Sequence, residues 1–297
     1  MRAVAPRPGA PARAGAALHD LGVPRGRSLV VTTDDGARLA VTDAGDRITL
    51  GGPPPVVLAH CWTGSRAVWA PVARRLVAAG HRVVLYDQRG HGASTTGSTP
   101  VAVERLGDDL ARVVEALDLR DAVVAGHSMG GMSVMACACR HPELVRHRVR
   151  RMVLVATAAH GLAAGGRDRF WRMVLWRGWL NRLMVRPRLG RVLVRPTFGR
   201  VPSRSHVEAT RALFVATDPA VRRACAVAMG EMDLREALAG VDTPATVLLG
   251  RRDQLVVNTL TRAIVHHVAT ARLVELPDAG HMLPLERPDD VAAAISR

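Results

Sequence analysis

Lysine is absent from these 297 residues, so all 41 basic side chains are arginines. Together with abundant Ala, Gly and Val, this bias is what a GC-rich coding sequence produces, and the formal charge of +15 by itself names no partner. Aromatic residues are scarce at 3%, with one tyrosine. A nucleic-acid reader needs a basic face interleaved with stacking rings, or a recognised reader motif; neither is present, and a nucleic-acid partner is excluded. The scarcity also means that the core must be built from Val, Leu and Ala. The four cysteines, Cys61, Cys137, Cys139 and Cys225, form no CxxC pair and no disulfide ladder. Cys137 and Cys139 lie two apart on a predicted helix and point in different directions. Reduced thiols in a cytoplasmic protein are expected. No stretch reaches the roughly 20 apolar residues of a membrane span. Met1 to Ala17 is rich in Arg, Pro and Ala and lacks the apolar region of a secretory signal, which predicts a flexible basic tail over 1–27.

What is present is enough for a core: 48% of residues are hydrophobic and 23% charged. The positive charge is localised. Residues 167–200 hold ten arginines and one aspartate, a surplus of nine, and residues 1–27 hold five and one, a surplus of four. The remainder is close to neutral.

Short β-branched runs alternate with helical patterns, which predicts an α/β protein with a mostly parallel sheet. The expected strands are Ser28–Thr33, Arg38–Thr42, Pro55–His60, Arg82–Asp87, Asp121–Gly126, Arg151–Ala156, Ala245–Gly250 and Arg272–Leu276. The first two are joined by the turn Asp34-Asp35-Gly36. Near-continuous Val and Leu in the later runs fits strands covered on both faces. Helices are expected at Val68–Ala79, Val101–Leu117, Met129–Arg140 and Pro288–Ile295. The alternation breaks over 158–239, which reads as a helical insertion after the sixth strand. The domain reading is therefore a core in two parts, 28–157 and 240–297, around that insertion.

Gly126-His127-Ser128-Met129-Gly130 is a G-x-S-x-G sequence between a strand and an apolar helix. A serine on so sharp a turn projects its hydroxyl alone at the end of the sheet, and small neighbours let the chain turn. The hydroxyl is a weak nucleophile until a base takes its proton. Among 12 histidines, His281 lies just beyond the last strand, at the sheet edge where ligands bind. His127 adjoins the serine and is expected to point away from it. His141, His147, His266 and His267 sit on helices or among charges. The third member should orient the imidazole and stabilise its cation. Asp253 follows the penultimate strand, whereas Asp242 precedes it and the loop after the sixth strand carries no carboxylate. A competing reading pairs Asp253 with Arg251 or Arg252. The order Ser, Asp, His along the chain favours the catalytic one. Two backbone N–H groups should face the developing oxyanion: that of Met129 and, from the loop after the third strand, that of Trp62.

The ordered motifs LAHCWTGS (58–65), YDQRGHGAS (86–94), GHSMGG (126–131), LLGRRD (248–253) and AGHMLPLERP (279–288) resemble the α/β-hydrolase superfamily, in its branch of small esterases, lipase-like enzymes and cofactor-free haloperoxidases. The resemblance covers about residues 28–297. It implies an α/β-hydrolase fold with an eight-stranded sheet flanked by helices, and a helical cap over 158–239. It makes Asp87, Arg89 and His91 structural, and makes Trp171, Trp176 and Trp179 of the cap substrate-binding. The family usually has glycine at Cys61; packing of the thiol is favoured over a catalytic cysteine, which lacks a base of its own. Epoxide hydrolases and dehalogenases of this fold are less similar, having aspartate where this chain has Ser128. The resulting reading is a serine hydrolase of a small-molecule carboxylic ester with an apolar acyl or alcohol part, needing no cofactor and no metal. Alternatives are the same triad used for acyl transfer, perhydrolysis or C–C bond hydrolysis, or a hydrolase fold kept for ligand binding. For the basic cap, packing on the core with the arginines in water is preferred over contact with an anionic membrane surface.

Overall fold

The computed structural model describes residues 21–45, 52–161 and 179–297. Its eight strands are β1 (Gly26–Thr32), β2 (Arg38–Ala44), β3 (Val56–Ala59), β4 (Val83–Tyr86), β5 (Ala122–His127), β6 (Val149–Val155), β7 (Ala245–Gly250) and β8 (Ala271–Leu276). They form one sheet in the order β1-β2-β4-β3-β5-β6-β7-β8. β2 pairs antiparallel with β1 and β4, and every other pair is parallel. Each expected run overlaps a strand, with ends shifted by up to two residues. β1 starts at Gly26, inside the segment expected to be tail, and most of that segment lies outside the described residues.

The central strands are buried on both sides, and their period of two sorts side chains between two helical layers. Val56, Leu58, Val83, Leu85, Val123 and Val153 face a cluster with Trp69, Leu76 and Ile295. That layer is α1 (Ala70–Ala78), preceded by a 3-10 turn at Arg66–Trp69, together with α12 (Pro288–Ser296). Val57, Val84, Tyr86, Val124, Leu154 and Val247 face the opposite cluster, with Leu106, Leu110, Met132 and Ile264. This second layer comprises α2 (Val103–Ala116), α3 (Met129–Arg140) and α10 (Asn258–His267), with α4 (Pro142–Arg148) following α3. Each fully buried Val or Leu is worth about 1.5–3 kcal/mol of transfer free energy, so the Val/Leu core compensates for the missing aromatics.

Between β6 and β7 the described residues form α5 (Trp179–Val185), α6 (Pro187–Val194), a 3-10 turn at Arg195–Thr197, α7 (Arg204–Ala216), α8 (Pro219–Glu231) and α9 (Arg235–Leu238). Proline sits at the first turn of α6 and α8, where its missing N–H costs nothing. Met184, Val194, Phe198, Val207 and Phe214 pack with Cys61 and Met282 in a third cluster. The helices α5 to α7 therefore rest on the loops that follow β3 and β8, whereas Cys225 and Met229 of α8 and Leu238 of α9 join the second layer. The last short helix is α11 (Leu283–Glu286).

Candidate active site

Ser128 sits between β5 and α3 with φ 54° and ψ −118°, a left-handed conformation that a non-glycine residue adopts only when its surroundings impose it. Those surroundings are visible. Its N–H donates to the Val155 carbonyl at 2.8 Å, and its own carbonyl accepts from the N–H groups of Gly131 (2.8 Å) and Met132 (3.1 Å) and from Thr157 Oγ1 at 2.7 Å. Close approach fixes the neighbours as well: a Cβ at Gly126 would lie 2.2 Å from the Gly130 carbonyl oxygen, and one at Gly130 would lie 2.2 Å from that of Ala59. The hydroxyl itself has no hydrogen-bond partner among the described residues, and Ser128 is 7% exposed. The turn is rigid and its tip is free.

His281 and Asp253 arrive from the loops after β8 and β7. His281 Nδ1–H donates to Asp253 Oδ2 at 2.8 Å, and the two side chains are 4% and 2% exposed. With Nδ1 as the donor, Nε2 is the bare nitrogen, the form a general base needs. Asp253 Oδ1 accepts from the N–H groups of Leu255 (2.8 Å) and Val256 (3.0 Å), so the carboxylate is held from both sides. Neither neighbouring arginine takes it: Arg251 approaches Glu275 and Arg252 approaches Asp278. Ser128 makes no hydrogen bond to either residue; catalytic hydrogen bonds are often long in a ligand-free site.

His127 ties the serine turn to the histidine loop. Its Nε2–H donates to the His281 carbonyl at 2.8 Å, and the two rings lie 5.0 Å apart. Its ring is thus turned to the His281 loop. Burial, with His281 beside it, keeps this imidazole well below the usual histidine pKa, and its Nδ1 is buried without a partner. A residue not singled out from the sequence completes the support. The Glu286 carboxylate accepts from the N–H groups of Gly199 (2.6 Å), Gly280 (3.1 Å) and Met282 (3.0 Å), clamping both neighbours of His281. His281 N–H also donates to the Thr197 carbonyl at 2.8 Å. Burial pushes the Glu286 carboxyl up, against the pull of these N–H groups.

The loop after β3 is held by two histidines. His60 Nδ1–H donates to the Cys61 carbonyl (2.8 Å) while its Nε2 accepts from Gln88 N–H (2.9 Å). His91 Nδ1–H donates to the Arg89 carbonyl (3.0 Å) while its Nε2 accepts from Thr63 N–H (3.2 Å). Both need the neutral form, and burial lowers both pKa values, that of His60 to about 3. Asp87 accepts from the N–H groups of Arg66 and Ala93, and buried Arg89 is bound by Asp109 and Asp35. Asp87, Arg89 and His91 therefore tie loops together beneath the site. Trp62 donates its indole N–H to the Arg222 carbonyl at 3.0 Å and meets Phe214 edge to face. No described residue accepts from the backbone N–H of Trp62 or of Met129, which stands in the first turn of α3, where helical N–H groups lack partners. All four cysteines are free. Cys61 is buried with its thiol pushed up to about 12 by desolvation, so it is a packing group and not a thiolate.

Trp171 and Trp176 lie outside the described residues; Trp179 begins α5. No group of three or more His, Cys, Asp or Glu side chains able to hold a metal ion occurs among the described residues, and no helix there is long and apolar enough to cross a membrane.

A strained serine after a central parallel strand, facing loops from the next strands of a doubly covered sheet, defines a hydrolase architecture. The chain belongs to the alpha/beta hydrolase fold family, whose model matches residues 54–288, and it is a hydrolase of that family. It is 28% identical over 262 residues to the pimeloyl-[acyl-carrier protein] methyl ester esterase of Xanthomonas campestris pv. campestris, covering 84% of this chain and 96% of the relative. A non-heme chloroperoxidase of Streptomyces lividans is 39% identical over 126 residues, which are 42% of this chain and 43% of that one. Among solved structures, a hydrolase from Pseudomonas aeruginosa PA01 superposes with a TM-score of 0.74 at 28% identity, over 91% of this chain and 97% of the other.

Proposed function

We propose that this hydrolase cleaves carboxylic esters with an apolar acyl or alcohol part, using Ser128 as nucleophile, His281 as general base and acid, and Asp253 to orient and stabilise the imidazolium. The observation that carries the reading is the 2.8 Å hydrogen bond from His281 Nδ1 to Asp253 Oδ2, between two nearly buried side chains, beside a serine with left-handed backbone. Ser128 Oγ attacks the ester carbonyl carbon as its proton passes to His281 Nε2. The tetrahedral oxyanion takes hydrogen bonds from the N–H groups of Met129 and Trp62, worth about 3 kcal/mol per donor in sites of this kind. Its collapse breaks the C–O bond, and His281 returns the proton to the departing alcohol, leaving an acyl group on Ser128. Water, deprotonated by His281, then attacks that acyl group; the second tetrahedral intermediate releases the acid and restores the serine. None of these steps calls on a cofactor or metal.

The unpartnered N–H groups of Met129 and Trp62 support the oxyanion assignment. The helices α5 to α7, packed with Cys61 and Met282, support reading 158–239 as a cap over the substrate, with 28–157 and 240–297 as the core; Trp171, Trp176 and Trp179 are proposed for that roof. A cytoplasmic setting is part of the proposal, on the strength of four free thiols. A second reading, perhydrolysis of the acyl-enzyme, rests on the similarity to the S. lividans chloroperoxidase; it keeps every residue role and replaces the attacking water by peroxide. The test is a panel of p-nitrophenyl esters of increasing chain length, run beside Ser128→Ala and a fluorophosphonate probe. Turnover and labelling are expected in the parent and absent in the variant. Equal turnover by Ser128→Ala refutes the mechanism.

A further inference from the structure

No acidic residue occurs between Asp168 and Glu208. The structure shows what the described part of that stretch presents. Among the described residues nine large apolar side chains are strongly exposed, and five of them, Val185, Leu189, Val192, Leu193 and Val201, fall within seventeen consecutive positions. Val192 is 69% and Val201 88% exposed. The helices α5 and α6 bury Met184, Gly190 and Val194, pack Leu180 against the same cluster, and turn Val185, Leu189, Val192 and Leu193 to the outside. Arg182, Arg186, Arg188 and Arg204 are exposed alongside them, without an acidic partner among the described residues. Arg191, by contrast, is paired with Glu208. Isolated exposed aliphatics are ordinary; a cluster of five interleaved with unpaired cations is not.

We infer that this face, carried by α5, α6 and residues 195–204, docks on an anionic lipid bilayer, with the aliphatic side chains entering the acyl boundary and the arginines reaching lipid phosphates. The inference is independent of the ester chemistry. The two halves of the surface demand the same partner. Arginine stems lie along apolar surface while their heads stay at the polar level, which matches the depth profile of a bilayer interface. A nucleic acid offers phosphates but gives no use to five aliphatic side chains, and among the described residues no exposed large aromatic stands beside them for base stacking. The segment also borders the proposed active site, because Thr197 and Gly199 bond directly to the His281 loop.

The test is co-sedimentation of the full chain with vesicles of phosphatidylcholine alone and of phosphatidylcholine with phosphatidylglycerol, at low and high salt. Binding to the anionic vesicles only is expected. Each arginine near an anionic surface raises partitioning about fivefold, about 1 kcal/mol, so Arg182→Gln with Arg188→Gln should lower it roughly thirtyfold. The charge-matched control, Arg150→Gln with Arg297→Gln, both exposed and near the ends at which β6 and β4 begin, should change it less than about threefold, since charges at the sheet edge opposite the His281 loop are screened. Val192→Ser with Leu193→Ser, both on the surface and checked by thermal melting, should lower it about tenfold or more and remove the salt-resistant fraction. Absence of binding at low salt, an equal loss in the control pair, or no effect of the aliphatic pair each overturns the inference. Binding to a DNA duplex without binding to anionic vesicles also overturns it, in favour of a plain polyanion surface.

Discussion

Protonation of His60 should unfold the loop that carries Trp62, and its size follows from the structure. The ring is fully buried, donates from Nδ1 to the Cys61 carbonyl and accepts at Nε2 from Gln88 N–H, so it has no position for a second proton. Burial first, and then His91 nearby, lowers its pKa to about 3, against about 6.5 in an unfolded chain. A histidine depressed in this way contributes stability that is complete above about pH 6.5 and lost as the pH falls toward about 3, because the unfolded chain binds a proton that the folded one refuses. At pH 4.5 the gap amounts to about two pKa units, or about 3 kcal/mol, a large share of the 5–15 kcal/mol that usually separates folded from unfolded chains. His91 and His127 are lowered by burial too, so the diagnostic quantity is a difference of slopes. Urea unfolding followed by tryptophan fluorescence at pH 7, 5.5 and 4.5 measures it. His60→Gln keeps an acceptor for Gln88 N–H but cannot titrate. It should be less stable than the parent at pH 7, and its stability should fall with pH less steeply, by about 1.4 kcal/mol per unit below pH 6. Parallel pH dependences in parent and variant refute the argument.

Glu286→Gln leaves one accepting oxygen for three N–H groups and turns an amide toward donors. It should cost about 2 kcal/mol of stability and, by loosening the His281 loop, lower kcat about 10- to 100-fold with KM little changed. Steady-state kinetics on a p-nitrophenyl ester decide the point: an unchanged kcat removes the positioning role, and Glu286→Asp should recover part of the loss. Cys61→Gly deletes a buried thiol, so it should keep at least half the esterase activity while losing about 1–2 kcal/mol of stability by denaturant titration. Loss of fluorophosphonate labelling in that variant contradicts a packing role.

The parts of the molecule legible from sequence are those governed by local pattern. Val-rich runs such as Val56–Ala59 and Ala245–Gly250 have one physical outcome, burial on both faces of a sheet. The serine turn is legible because its glycines answer a local crowding problem. Position along the chain was enough to single out His281 and Asp253, whose 2.8 Å contact then appears in the structure. The bounds of α4 and α10 are not legible in the sequence: α4 has only seven residues, and α10 starts at Asn258 behind Val257, which offers no side-chain cap. Glu286 was invisible for a different reason. A glutamate before Arg287-Pro288 looks like an ordinary first-turn residue, and its work depends on Gly199, 87 positions earlier, lying against Gly280.

That contact also explains why the stretch before β7 cannot be treated as an accessory. A Cβ at Gly199 would lie 2.1 Å from the Asp278 carbonyl oxygen, and one at Gly280 would lie 2.5 Å from the Gly199 nitrogen, so the two backbones meet without side chains between them. Through Thr197, Gly199 and Glu286 the same segment sets where the His281 ring stands. Its other neighbours, Val192, Leu193 and Val201, face outward. A displacement of that outer surface therefore has a short path of direct hydrogen bonds to the backbone that carries the imidazole. Coupling of this kind requires that docking and the His281 loop share one energetic balance. Vesicles that bind the parent should then alter its kcat on a water-soluble ester. They should leave untouched a variant carrying Val192→Ser with Leu193→Ser.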